Sequence, residues 1–230
     1  MDWQAENLLF VAFIANSEQM RCDEIYRDVF KSDFEEVAAE PGPLPGRRAS
    51  GFTDSVRQSI ITRPGRVDLV IDAPRNDPPM VDAPISQLLL YLPQVQKFFG
   101  ELNPSRVSCV ANLVRKCDTE QAAIESFYNA TGLNFIEGAS ELHFRYNKVR
   151  SVNNYKSNFI FDHSVVQLQF IEFQVAGGQP VGPMPAMKSI YYFKKSLDFN
   201  SVPSSEIPSE DVAALLDAYV KEIDLEASNA

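Results

Sequence analysis

The chain is poor in the residues that carry local chemical signatures. Its 230 residues include two histidines, three cysteines and one tryptophan. Cys22, Cys109 and Cys117 are too few and too irregularly spaced for a disulfide framework, so reduced thiols and a cytoplasmic location are expected. Cys-x-x-Cys and His-x-x-x-His spacings are absent, which argues against a metal site. There is no Gly-x-Gly-x-x-Gly or Walker-type phosphate loop and no Gly-x-Ser-x-Gly elbow, so no cofactor and no standard nucleophile is expected. Long apolar runs are missing too. Leu8–Ala15 and Leu88–Leu92 both fall short of the roughly 20 residues that span a bilayer. No Lys or Arg precedes the first run, as a secretory leader would require.

Positive charge is scarce as well. Lys and Arg number 21 against 31 Asp and Glu, a formal charge of −10. The acidity sits at the ends: residues 1–40 hold 10 acids and 3 bases, and residues 206–226 hold 7 acids and 1 base. The middle is mildly basic. An acidic chain repels a phosphate backbone, so nucleic acid is disfavoured as a partner, and the basic middle segment is the one route to it.

What is present is patterning. At 45% apolar and 23% charged, the composition is that of a globular protein with material for a core. Asn7–Ala15 reads as a buried strand. Ser17 is a candidate N-cap for a helix of roughly 20 residues, whose stripe runs Cys22, Ile25, Tyr26, Val29, Phe30, Phe34 and Val37. The Pro/Gly cluster 41–46 ends it and opens a loop holding Arg47 and Arg48. Val56–Thr62 and Arg66–Ala73 form a hairpin, since Pro64-Gly65 suits a type II turn. Pro74–Pro84 reads as loop, and Pro93 splits a helical pattern over Ile85–Leu102.

Pro104 marks a second start. Arg106–Arg115 is a strand, and Thr119 caps a helix that Gly132 closes. Extended runs follow at Ser140–Val149, Asn158–Val175 (with a break at Asp162-His163-Ser164) and Lys188–Phe199. Gly177–Pro185 reads as an irregular connection, and a last helix follows Pro208. The element order is β-α-β-β-α, then β-α-β-β-β-α. That order implies an α+β fold, an antiparallel sheet with helices packed on one face. The chain is read as one domain over 1–230, with a pseudo-duplication into 1–103 and 104–230 as an added expectation.

The chemistry-bearing candidates are placed by strand parity. In 141–149, Leu142, Phe144 and Tyr146 point one way, and His143, Arg145 and Asn147 the other. Gln167, Gln169, Lys194, Ser196 and Asp198 mark polar faces on neighbouring runs. Pooled on one sheet face, they would hold an anionic or polar ligand, with Arg145 as the bidentate donor. The plainer alternative is a wet sheet face. Arg47, Arg48, Arg57, Arg63, Arg66 and Arg75 offer a second surface of Arg beside Pro, suited to protein contacts. Among the thiols, Cys117 at a strand end beside Lys116 and Asp118 is the one expected to be accessible.

The leading expectation is a non-enzymatic binding protein that holds a protein partner or polar ligand on a sheet face or on the Pro/Arg loops. The aromatic content is compatible with a homodimer. The rival is a hydrolase-type enzyme pairing His143 or His163 with a carboxylate such as Asp162 or Glu172.

Overall fold

The computed structural model describes residues 3–42, 44–53, 56–73, 75–76, 80–81, 83–139, 141–172, 175–176, 179–180 and 186–228. Strand β1 (Gln4–Phe13) leads through a 3-10 turn (Ser17–Gln19) into α1 (Cys22–Phe30). Strands β2 (Glu36–Glu40), β3 (Gly46–Thr53), β4 (Val56–Arg63) and β5 (Arg66–Asp72) follow. After them come a two-residue pair, β6 (Arg75–Asn76) with β7 (Met80–Val81), then α2 (Ile85–Leu89) and α3 (Leu92–Glu101). The second part runs β8 (Arg106–Cys117), α4 (Glu120–Thr131), β9 (His143–Val152) and β10 (Tyr155–Glu172). It continues through β11 (Val175–Ala176), β12 (Gln179–Pro180), β13 (Ala186–Ser201) and α5 (Ser209–Ser228).

Nine strands form one continuous antiparallel sheet in the order β2-β3-β4-β5-β1-β8-β13-β10-β9. Read outward from the β1–β8 seam, each side presents the first strand of its part, then the last, then the preceding ones. The seam pairs Leu9 with Val110 and Phe10 with Cys109. The register slips between Ala5 and Asn7, so Glu6 is an extra residue in a bulge.

Alternation decides which face is buried. Leu8, Phe10, Ile60, Leu69, Ile71, Cys109, Leu113, Phe161, Phe193 and Phe199 all join one core. The buried sides of α1, α2, α3, α4 and α5 close over it, with Tyr26, Leu88, Phe99, Phe127 and Tyr219 fully or almost fully covered. The fold is therefore α+β with helices on one face. The opposite parity carries no described helix.

Local signals explain the helix ends. The Thr119 hydroxyl accepts from Ala122 N at 3.1 Å, and Gly132 at φ 66° closes α4. Pro93 stands at the start of α3, where its missing N–H costs nothing.

The first helix is shorter than its stripe implied. Lys31 turns left-handed at φ 55° and ends α1, so Phe34 packs as part of a loop and Val37 lies in β2. The Pro/Gly cluster connects the hairpin β2–β3, which puts Arg47 and Arg48 in a strand rather than a loop. Ser17 does not cap α1; its hydroxyl donates to Arg63 O (2.5 Å) and accepts from Arg66 N (3.0 Å). Strand β10 runs unbroken through Asp162-His163-Ser164, because β9 and β13 hold it from both sides there. The turn of the β4–β5 hairpin follows expectation, with Gly65 at φ 75°. Most of Gly177–Pro185 lies outside the described residues.

Candidate functional site

The helix-free face concentrates ordered polar groups across β1, β8, β13, β10 and β9. Asn147 donates to Asn158 Oδ1 (3.1 Å), and Asn158 donates to Asn200 Oδ1 (3.1 Å). Asn200 donates to Asp198 Oδ1 (3.0 Å), which also accepts from Ser108 (3.3 Å). Asn112 donates to Asn7 across the seam at 2.8 Å. The bulged Glu6 reaches Lys194, with Nζ–Oε2 at 2.6 Å. His143 Nε2 lies 2.7 Å from Asp162 Oδ1, and Ser164 stands directly opposite His143 in the ladder.

His143, Arg145, Asn147, Lys194, Ser196 and Asp198 therefore share this part of the face. Arg145 is exposed and makes no ion pair among the described residues. Gln167 and Gln169 have the parity of Phe161 and His163, so they lie on the helix side. There Gln167 donates to Ser189 Oγ (2.9 Å) and Tyr191 Oη (3.3 Å), beside α4. Unbroken pairing through β10 keeps parity constant over its length, which separates these glutamines from Arg145.

The two arginines also part company. Arg48 is on the open face and pairs with Glu40 at 2.9 Å, whereas Arg47 is exposed on the other parity, at a cavity of about 210 Å³ with Ser17 and Pro64. Arg48, Glu40, Arg63, Asp68 and Arg66 form a continuous ion chain over β2–β5. Sequence reading missed this chain, because the alternation of Glu36–Glu40 was hidden by the helical stripe before it.

His163 is buried among aromatics on the helix side. It stacks on Tyr146 (6.0 Å) and Phe193 (6.0 Å), and its Nδ1 has no partner among the described residues. Burial and then the nearby Lys195 ammonium hold its pKa below the ordinary value. Cys117 is buried, its thiol 3.6 Å from Arg115 O, contrary to its expected accessibility. No group of three or more His, Cys, Asp or Glu among the described residues is arranged to hold a metal. No described helix is long and apolar enough to cross a membrane.

No family model, no curated protein and no solved structure matches this chain.

Proposed function

We propose that the protein is a non-enzymatic binding protein that carries a protein partner or polar ligand on its helix-free sheet face. The observation that supports this is the hydrogen-bonded row Asn147–Asn158–Asn200–Asp198–Ser108, which spans four strands with unpaired Arg145 at its margin. Such a row fixes donors and acceptors before binding, which lowers the ordering cost of recognition. A cytoplasmic location with reduced thiols goes with this reading.

The test places a photoreactive amino acid at Asn147 or Ser196 on the open face, or at Glu125 on α4. Adducts with one saturable partner from the open-face sites alone are expected, and they diminish in Lys194→Ala, Asp198→Ala and Arg145→Ala. Adducts equal in yield from Glu125 would end this reading.

One observation favours a second reading, a hydrolase: the His143–Asp162 contact with Ser164 across from the imidazole. The His143 side chain is 58% exposed and lines none of the described cavities. Turnover of activated esters that vanishes in Ser164→Ala and in His143→Ala would establish it.

A further inference from the structure

The two edges of the sheet are not treated alike. Strand β2 has five residues, follows an irregular segment and runs into Pro41. Short strands and prolines blunt a sheet edge. Strand β9 has ten residues, no proline, and an outer edge that no described strand pairs.

The ladder geometry says which of its backbone groups face outward. Asn153-Asn154 connects β9 to β10 as a two-residue hairpin closing on Val152 and Tyr155, with Asn153 at φ 51°. Hydrogen-bonded and non-hydrogen-bonded pairs then alternate. Val152, Arg150, Lys148, Tyr146 and Phe144 turn their N–H and C=O to β10, and the same parity continues in the bond from Val165 N to Leu142 O (3.1 Å). His143, Arg145, Asn147, Val149 and Ser151 turn theirs outward.

A groove runs beside this edge. Its one wall is Val152 with Phe159 of β10; its other is the outward stripe of α5, Ala218, Lys221, Leu225 and Ser228, at steps of three and four. The cavity is about 460 Å³, and Leu225 at its lip is 53% exposed. Arg150 bridges the walls to Glu222 at 2.9 Å, so that carboxylate is already neutralised. Asp224 remains on the α5 side.

The charge of the edge selects its occupant. Four of ten β9 residues, His143, Arg145, Lys148 and Arg150, are basic or can become so, on a chain of net charge −10. Lys148 lies over Tyr146 (5.2 Å) and Phe161 (5.0 Å), and neither it nor Arg145 has an ion pair among the described residues. Pairing β9 with the β9 of a second copy would set like charges against each other.

We propose that β9 accepts an acidic, extended segment of another protein as a tenth strand. Main-chain bonds form at Arg145, Asn147, Val149 and Ser151; alternate aliphatic side chains enter the α5 groove on the helix side, and the acidic ones between them lie on the open face beside His143 and Arg145. Strand addition of this kind takes affinity from backbone bonds and specificity from alternating pockets.

The test uses two fluorescent, end-blocked peptides, (Glu-Val)4 and (Lys-Val)4, titrated into the full chain with anisotropy as the readout. Saturable binding of the Glu peptide alone, weakened by salt, is expected. Val149→Pro deletes one outward N–H while sparing the β9–β10 bonds and should weaken binding by at least about tenfold. Arg145→Glu and Leu225→Glu, which lie on the surface and spare the core, should do the same, so the outcome does not depend on Val149→Pro folding. Ser108→Ala, on the open face, should leave peptide binding unchanged, which separates this site from the open-face reading. Equal binding of both peptides, no binding, or indifference to Arg145→Glu and Leu225→Glu would overturn the proposal. So would self-association of the protein through β9, seen as sedimenting oligomers that Val149→Pro dissolves.

Discussion

Lys195 ties β13 to the end of α5. Its Nζ lies 2.9 Å from Glu226 O and 3.0 Å from Glu226 Oε2, and 4.6 Å over the Trp3 ring. The Lys195 side chain is 5% exposed and that of Glu226 19%. The pair is therefore asymmetric: the ammonium is buried, and the carboxylate can still rehydrate. Burial pulls the Lys195 pKa below its ordinary value, with Glu226 opposing. Glu226→Gln leaves a buried cation without its counter-charge and should cost about 1–3 kcal/mol. Lys195→Met keeps the packing and leaves only a half-open carboxylate, so its cost should be smaller. Urea unfolding of both variants checks the order; an equal or reversed ranking refutes the asymmetry.

His163 gives the stability a pH dependence of defined sign. Its pKa is lowered in the folded protein, first by burial and then by Lys195. Glu226 on α5 and Asp162 beside it oppose this, and Arg115 faces Lys195 from β8. The unfolded chain therefore binds the proton first as pH falls through about 6.5. Stability is complete above that pH and declines below it, by at most about 1.4 kcal/mol per pH unit for one proton. His163→Phe keeps the stack on Tyr146 and Phe193 and should flatten the decline between pH 6.5 and 5. Parallel slopes for the two proteins in urea titrations would contradict it.

The sequence made the alternation of β8, β9 and β13 legible, because each strand sends its core side chains to one side. It also exposed the Pro64-Gly65 turn, the Thr119 cap and the split at Pro93, where one residue's covalent geometry decides. It hid β2. There Val37 continues the spacing of Val29 and Phe30, and only the left-handed Lys31 shows that the helix has already stopped. It likewise misplaced Gln167 and Gln169 relative to Arg145. Polarity reads as an outward face only where a strand is half buried, and this end of β10 extends past β9, where both faces are wet. The His143–Asp162 contact and the asparagine row needed strand register, which no single sequence segment contains.

All three thiols should be silent in the native protein. Cys22, Cys109 and Cys117 are buried, and burial raises the pKa of Cys22 and Cys109. Thiolate is the reacting species, so access is withheld from all three and ionisation from Cys22 and Cys109 as well. A chromogenic disulfide reagent should register no fast thiol before unfolding and three after it. A rapid native equivalent, abolished by Cys117→Ser, would show that the end of β8 opens.

Asp68 should be the most sensitive acid on the open face. It is buried at 2% exposure, Arg63 Nη1 stands 2.5 Å from its Oδ2, and Arg66 Nε bonds its Oδ1. Arg63 also bonds Glu40, so one carboxylate anchors a chain across four strands. Asp68→Asn leaves two guanidiniums facing each other over a buried site and should cost about 2–4 kcal/mol. Glu36→Gln, exposed on the same face, should cost under about 0.5 kcal/mol. Thermal unfolding of the two variants measures the contrast.

The mirrored strand order about the β1–β8 seam leads to a last expectation. Cutting the chain before Pro104 yields fragments 1–103 and 104–230, each with its first strand at the seam and helices of its own. Each fragment would expose a central edge, β1 or β8, whose partner strand supplies both backbone bonds and contacts such as Asn7–Asn112. The helices cross the cut as well: Gln96 of α3 bonds Ala213 O (3.2 Å) and Asp217 Oδ1 (2.5 Å) on α5. Neither fragment alone should show cooperative unfolding, and mixing them should restore it with one-to-one stoichiometry. Independent cooperative unfolding of either fragment would show that the seam joins two self-sufficient units rather than completing one sheet.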